Sequence, residues 1–243
     1  MKHLARIVAL GDSILKGVQV DPVSKRYVTR NEIGIPDLER DFDLTVRNDS
    51  HFGASTVKGE RLLDRMLERG DCCDGVVMDF GGNDCDFKWR EIAETPTETH
   101  LPAVPLPEFV ERYRGMVRKL LRHDIVPILT TLPPLEPQLF FDWWCGRLDR
   151  EAVRRWLGSE CNIYAHQERY SRAVEQLARE EHVPLVDIRG AFLDHGHLDT
   201  LLCEDGTHPN SAGQALIGQA FREFAERWEA DLRTQAALER MIK

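Results

Sequence analysis

The chain has 243 residues, 42% of them hydrophobic, and no Gly/Ser linker, low-complexity tract or internal repeat marks a boundary, so one domain spanning 1–243 is expected. With 32 Lys and Arg against 41 Asp and Glu, the formal net charge is -9 and the basic residues are scattered among acidic ones. That excludes a nucleic-acid backbone as the main partner, since phosphate binding needs a basic stripe.

In chain order, the first apolar run ends in Gly11-Asp12-Ser13 without a small-residue cleavage site, so it reads as a buried strand rather than an export signal. No stretch is long and apolar enough to span a bilayer, and no membrane partner is expected. The six cysteines include no Cys-x-x-Cys, which suggests neither a zinc ribbon nor a disulfide framework; reduced thiols in the cytoplasm are the expectation. Short β-branched runs at 6–10, 44–47, 75–80, 126–131 and 185–188 alternate with amphipathic helical patterns at 57–68, 107–122, 162–181 and 211–232. This alternation predicts a doubly wound α/β fold with a parallel sheet covered by helices on both faces. Two segments look extra, 18–30 after the first strand and 133–160 after the fourth. The second is an aromatic insertion holding Phe140, Phe141, Trp143, Trp144 and Trp156, too aromatic for disorder. Residues 221–243 read as a solvated helix face.

Four blocks carry chemistry. Gly11-Asp12-Ser13 follows the first strand, which puts a serine hydroxyl at the carboxyl end of the sheet, where open α/β folds bind ligands. Alone, it is equally a helix-capping turn. Gly81-Gly82-Asn83-Asp84 follows the third strand. In a sheet ordered 2-1-3-4-5 the first and third strands are neighbours, so Asn83 faces Ser13 across one crevice and its amide can donate to an oxyanion. The plainer reading is a Gly-Gly-Asn turn. Asp205-Gly206-Thr207-His208-Pro209 lies beyond the fifth strand, and its spacing lets a carboxylate turn back onto its imidazole and fix the tautomer. In the block from Asn48 to Thr56, Gly53 lacks a Cβ, so its N–H can approach a reacting carbonyl. The neighbouring His51 needs no chemical role.

These blocks, in this order from Gly11 to Pro209, resemble the SGNH, or GDSL-like, hydrolase family. The resemblance implies a three-layer flavodoxin-like sandwich with a five-stranded parallel sheet of order 2-1-3-4-5. It implies Ser13 as nucleophile, His208 as general base and Asp205 as the residue orienting it, with Ser13 N–H, Gly53 N–H and the Asn83 side chain as the oxyanion hole. Ile14 stands where the family's name motif has leucine, an apolar swap at a packing position. The family covers esterases, lipases, thioesterases and carbohydrate acetylesterases, so its name does not choose a substrate.

The expected activity is a serine hydrolase cleaving a small, short-acyl ester, carbohydrate acetyl esters included, through an acyl-serine with no cofactor or metal. Asp12, Phe140, Trp143 and Trp144 are expected to line the substrate crevice. The alternatives are acyl transfer or thioester cleavage on the same triad, or a catalytically silent module that merely holds a ligand. Asp194, His195, His197 and Asp199 have metal-type side chains but lie in one loop without a second cluster, so no metal site is expected there. No Gly-x-Gly-x-x-Gly or Walker loop occurs, which removes the usual nucleotide-binding readings.

Overall fold

A computed structural model describes residues 2–30 and 32–242. The strands are β1 (Arg6–Gly11), β2 (Val18–Val20), β3 (Tyr27–Thr29), β4 (Thr45–Asn48), β5 (Gly75–Asp79), β6 (Val126–Thr130) and β7 (Leu185–Val186). The helices are α1 (Ile35–Phe42), α2 (Thr56–Glu68), α3 (Trp89–Glu94), α4 (Leu106–Arg122), α5 (Pro137–Cys145), α6 (Arg150–Leu157), α7 (Cys161–Glu180), α8 (Ile188–His195) and α9 (Ser211–Ile242).

Five strands form one parallel sheet in the order β4-β1-β5-β6-β7, the 2-1-3-4-5 order expected of a flavodoxin-like sandwich. β1 is an interior strand, pairing Ile7 with Val46 on one side and with Gly75 on the other. Its residues Ile7 to Leu10 are all buried, because helices cover both faces of the sheet. Period-two alternation divides them. Val8 and Leu10 join Val76, Met78, Leu63, Tyr113 and Val174 under α2, α4 and α7. Ile7 and Ala9 join Val77, Ile128, Phe192 and Ile217 under α8 and α9. Each fully buried side chain of this size contributes about 1.5–3 kcal/mol, so a slip of one residue in β1 would exchange the two cores and is strongly disfavoured.

The two extra segments have their own structure. The 18–30 segment is an antiparallel hairpin of β2 and β3, with Val18 opposite Thr29 and Val20 opposite Tyr27. The aromatic insertion supplies α5 and α6. The Glu136 side chain accepts from Leu139 N–H to cap α5, and Asp149 accepts from Ala152 N–H to cap α6. Phe140, Phe141, Cys145 and Val153 bury against Trp89, Ile92 and Ile163 as a third apolar cluster.

The stretch read as a solvated helix face is helical, and none of residues 221–239 is fully buried. α9 continues to Ile242, since neither Gly nor Pro follows Gly218 to stop it. Its inner side is packed: Phe221 and Phe224 lie on the second core, and Trp228 Nε1 donates to Lys2 O at 3.0 Å. Among the described residues, no helix is long and apolar enough to cross a membrane.

Candidate active site

β1, β5 and the segment before α9 all end on one edge of the sheet, and their loops meet there. Directly after β1, Asp12 Oδ1 accepts from Ile14 N–H at 2.8 Å, and Ser13 O accepts from Val18 N–H at 2.9 Å. This tight turn hands the chain from the sheet to the β2–β3 hairpin and leaves the Ser13 side chain at the edge. On the far side, Asn210 Oδ1 accepts from Ala212 and Gly213 N–H and so caps the first turn of α9. Cys203 N–H donates to His208 O at 2.7 Å, closing the loop that carries Asp205 and His208.

Gly206 shapes that loop. Its φ is +67°, and a Cβ there would stand 2.6 Å from both Glu136 O and Phe140 N, so only glycine lets α5 pack directly on the turn. Glu136 N–H donates to Gly206 O at 2.8 Å, which ties the aromatic insertion to the loop.

The loops bring together the three side chains that the sequence singles out. His208 Nε2 lies 2.9 Å from Ser13 Oγ, and His208 Nδ1 lies 2.6 Å from Asp205 Oδ2. Asp205 is fully buried and His208 nearly so. Asp205 Oδ1 also accepts from the N–H groups of Thr207 and His208, at 3.1 and 3.0 Å. Burial works to raise the Asp205 pKa, but these hydrogen bonds and the imidazole outweigh it and hold the pKa below the ordinary carboxylate value. An ionised Asp205 keeps the ring proton on Nδ1, which leaves Nε2 as the acceptor for the serine hydroxyl.

The expected oxyanion donors divide. Gly53 has φ +70° and sits exposed at the edge. Among the described residues, neither its N–H nor that of Ser13 donates to a protein acceptor. Asn83 is different: its Nδ2 donates to Asp12 Oδ2 at 2.9 Å and to Ala54 O at 3.2 Å, so both amide protons are engaged.

Asp12 does not line a crevice, which corrects the expectation. It is 4% exposed, with one oxygen on Ile14 N–H and the other on Asn83. Burial, then the neighbouring Asp79, push its pKa well above the carboxylate range. Asp79 lies beneath, with Oδ1 accepting from Thr130 Oγ1 at 2.9 Å. Asp84, fully buried, accepts from both the N–H and the hydroxyl of Thr56 at the start of α2.

The aromatic residues also divide. Phe140 is buried in the third cluster, with its ring on the wall of the cavity described below. Trp143 is half-buried and spends its Nε1–H on the Tyr27 hydroxyl, at 3.1 Å. Trp144 is exposed and stacks on Tyr27 with ring centroids 6.4 Å apart. Two aromatic residues not singled out in the sequence complete the surround. The Tyr27 ring lies 5.2 Å from that of His208, and Phe52, 49% exposed, stacks parallel to His208 at 6.1 Å. Beside these loops, Gly82, Trp89, Phe140, Trp156, His166 and Thr207 line a cavity of about 220 Å³.

Elsewhere, His195 closes α8 and its ring meets that of His197 edge-on at 6.3 Å. Among the described residues, no group of three or more His, Cys, Asp or Glu is arranged to hold a metal ion.

Comparison with known proteins adds to this geometry. Residues 9–216 match the model of the GDSL-like lipase/acylhydrolase family. No curated protein sequence matches the chain. Among solved structures, a lipase/acylhydrolase from Enterococcus faecalis is 21% identical with a TM-score of 0.62, over 92% of this chain and 97% of that one. The acetylxylan esterase Axe2 from Geobacillus stearothermophilus is 22% identical with a TM-score of 0.61, over 93% of this chain and 96% of that one. The psychrotrophic esterase EstA from Pseudoalteromonas sp. is 17% identical with a TM-score of 0.59, over 93% and 98%. The match to the family model runs from within β1 to within α9 and takes in Ser13, Gly53, Asn83, Asp205 and His208, and on it the chain belongs to the GDSL-like lipase/acylhydrolase family.

Proposed function

We propose that this chain is a carboxylic-ester hydrolase that cleaves small, short-acyl esters through an acyl-serine intermediate. The observation that carries the reading is the continuous hydrogen-bonded line from Ser13 Oγ through the His208 ring to the buried Asp205 carboxylate. His208 Nε2 takes the Ser13 proton as Oγ attacks the ester carbonyl. The resulting oxyanion is met by the free N–H groups of Ser13 and Gly53. Asn83 adds its amide by releasing Ala54 O, the longer of its two bonds. The imidazolium then protonates the departing alcohol, leaving the acyl group on Ser13. Water, deprotonated by His208, attacks the acyl-serine, and the serine leaves with the proton.

Substrate size follows from the surroundings. A cavity of about 220 Å³ beside Gly82 and Thr207 suits a compact group. The exposed faces of Phe52 and Trp144 suit stacking by a sugar ring. Together with the acetylxylan esterase among the structural neighbours, these features make acetylated carbohydrate the first substrate class to test.

The experiment pairs fluorophosphonate labelling with a panel of esters graded by acyl length, including acetylated sugars. Labelling at Ser13 and turnover of acetyl esters are expected. A chain whose Ser13 resists the probe and which turns over no ester would be a binding module instead.

A further inference from the structure

Asp205 meets a donor that the Ser-His-Asp line does not account for. Tyr27 Oη lies 3.2 Å from Asp205 Oδ2, the same oxygen that accepts from His208 Nδ1, and 3.1 Å from Trp143 Nε1. An indole nitrogen only donates, so the Tyr27 oxygen accepts from Trp143 and its own proton must point at Asp205. With Thr207 and His208 N–H on Oδ1, this brings the carboxylate to four donors, its full complement.

We propose that Tyr27, oriented by Trp143, is a positioning residue of this site, holding the Asp205 carboxylate in register with His208 and moderating its pull on the imidazole proton. The inference rests on the acid–base role assigned to His208 above.

Both residues come from outside the five-stranded frame. Tyr27 lies on β3 of the hairpin, and Trp143 on α5 of the aromatic insertion, 116 positions away. The hairpin is fastened to the very segment that carries the triad aspartate. Val20 N–H donates to Cys203 Sγ at 3.4 Å, and Lys25 pairs with Glu204, the residues just before Asp205. α5 reaches the same loop from the other side through Gly206 O. Two insertions thus converge on one carboxylate. Substituting the hydroxyl breaks the link between them without removing the ring that rests on His208 and Phe52.

The hydroxyl remains a donor across the working range, because burial and then the Asp205 charge hold its pKa far above that of free tyrosine. The groups facing the pair are few. Ser13 and Asp205 bond His208, the Cys203 thiol sits beside Asp205 and Tyr27, and Glu204 is neutralised by Lys25. Without Tyr27, Oδ2 is left to the His208 ring alone, and the carboxylate loses the hydroxyl that fixes its angle to the imidazole.

The test compares wild type with Tyr27→Phe and Trp143→Phe, using kcat and KM on a short-acyl ester from pH 5 to 9. The low-field proton resonance of the His208 Nδ1–H, identified by its loss in His208→Ala, is recorded for each. For Tyr27→Phe, kcat is expected to fall about tenfold at neutral pH with little change in KM, and the acid limb of the activity profile to move. Trp143→Phe moves both in the same direction by less, and the low-field resonance moves in each variant. A folded Tyr27→Phe with unchanged kcat, a superimposable pH profile and an unmoved resonance overturns the proposal. Because the resonance is read without substrate, that result is distinguishable from failure of the esterase reading, in which wild type itself turns over no ester.

Discussion

His208 Nε2 stands 2.9 Å from Ser13 Oγ across 195 positions of sequence. Ser13 follows the first strand and His208 precedes the last helix, so the contact exists only when the whole sheet is assembled in its 2-1-3-4-5 order. The contact is therefore also a report on the fold, since it joins the loop after β1 to the loop before α9.

Ser13→Ala is expected to abolish ester cleavage while leaving the melting temperature nearly unchanged. Among the described residues, the Ser13 hydroxyl bonds only to the His208 ring, so its loss removes one hydrogen bond at the sheet edge and no core packing. Residual hydrolysis above roughly a thousandth of the wild-type kcat would count against Ser13, given the rates left when a triad member is removed elsewhere.

Asn83→Ala should lower kcat about a hundredfold with KM little changed, as for a donor used mainly in the transition state. The same substitution strips Asp12 Oδ2 of its side-chain donor, so a modest loss of stability should accompany the loss of rate. Steady-state kinetics with a parallel thermal melt separate the two effects. A loss of stability with unchanged kcat would make Asn83 a brace for Asp12 and not an oxyanion donor.

Much of this was legible in the sequence, for reasons that can be named. β1, β5 and β6 are runs of buried apolar residues closed by Gly or Pro signals, and the Ser13, Gly53, Asn83 and Asp205–His208 blocks each sit on a loop whose position follows from those strands. The β2–β3 hairpin was not legible, since strands of three residues carry too little alternation to register. Tyr27 was missed with it. Its importance comes from contacts 116 and 178 positions away, which no local pattern encodes. Asp12 was misplaced for a related reason. A Gly-Asp-Ser turn reads as exposed, but packing above Asp79 and against Asn83 turns the carboxylate inward.

Stability should fall as pH rises through the range where Asp84 ionises. Burial raises its folded-state pKa from 3.8 to about 6, against the opposing hydrogen bonds from Thr56. Between those values the folded chain holds a proton that the unfolded chain has released, so the stabilisation is complete below about pH 4 and is lost by about pH 6. Its full size is about 3 kcal/mol. Asp84→Asn keeps an acceptor for Thr56 N–H and cannot ionise, so its stability relative to wild type should grow across this window. Urea midpoints of both proteins at pH 4, 5, 6 and 7 test it, and a constant difference between them would show that Asp84 does not titrate as described.

Acyl length is the last expectation, and it turns on Trp144. Trp144 stacks on Tyr27 at 6.4 Å, and the Tyr27 ring lies 5.2 Å from that of His208, so this indole flanks the histidine across Tyr27, on the side of the aromatic insertion. Its neighbour Phe140 is locked into the third core cluster, with ring centroids 6.1 Å apart, and α5 is pinned to Gly206. With its backbone held there and its ring on Tyr27, the indole is expected to act as a wall against a long acyl chain. Each methylene that fits contributes about 0.8 kcal/mol, whereas one that meets a rigid wall costs more than it returns. Wild-type kcat/KM should thus peak among acetyl to butyryl esters and drop beyond them. Trp144→Ala opens the wall at a partly exposed position, so the peak should move to longer acyl chains with little change in melting temperature. A wild-type kcat/KM that climbs steadily to long chains would sink the short-acyl reading. An unshifted peak in Trp144→Ala would move the limiting wall elsewhere, to the cavity lined by Trp89 and Phe140.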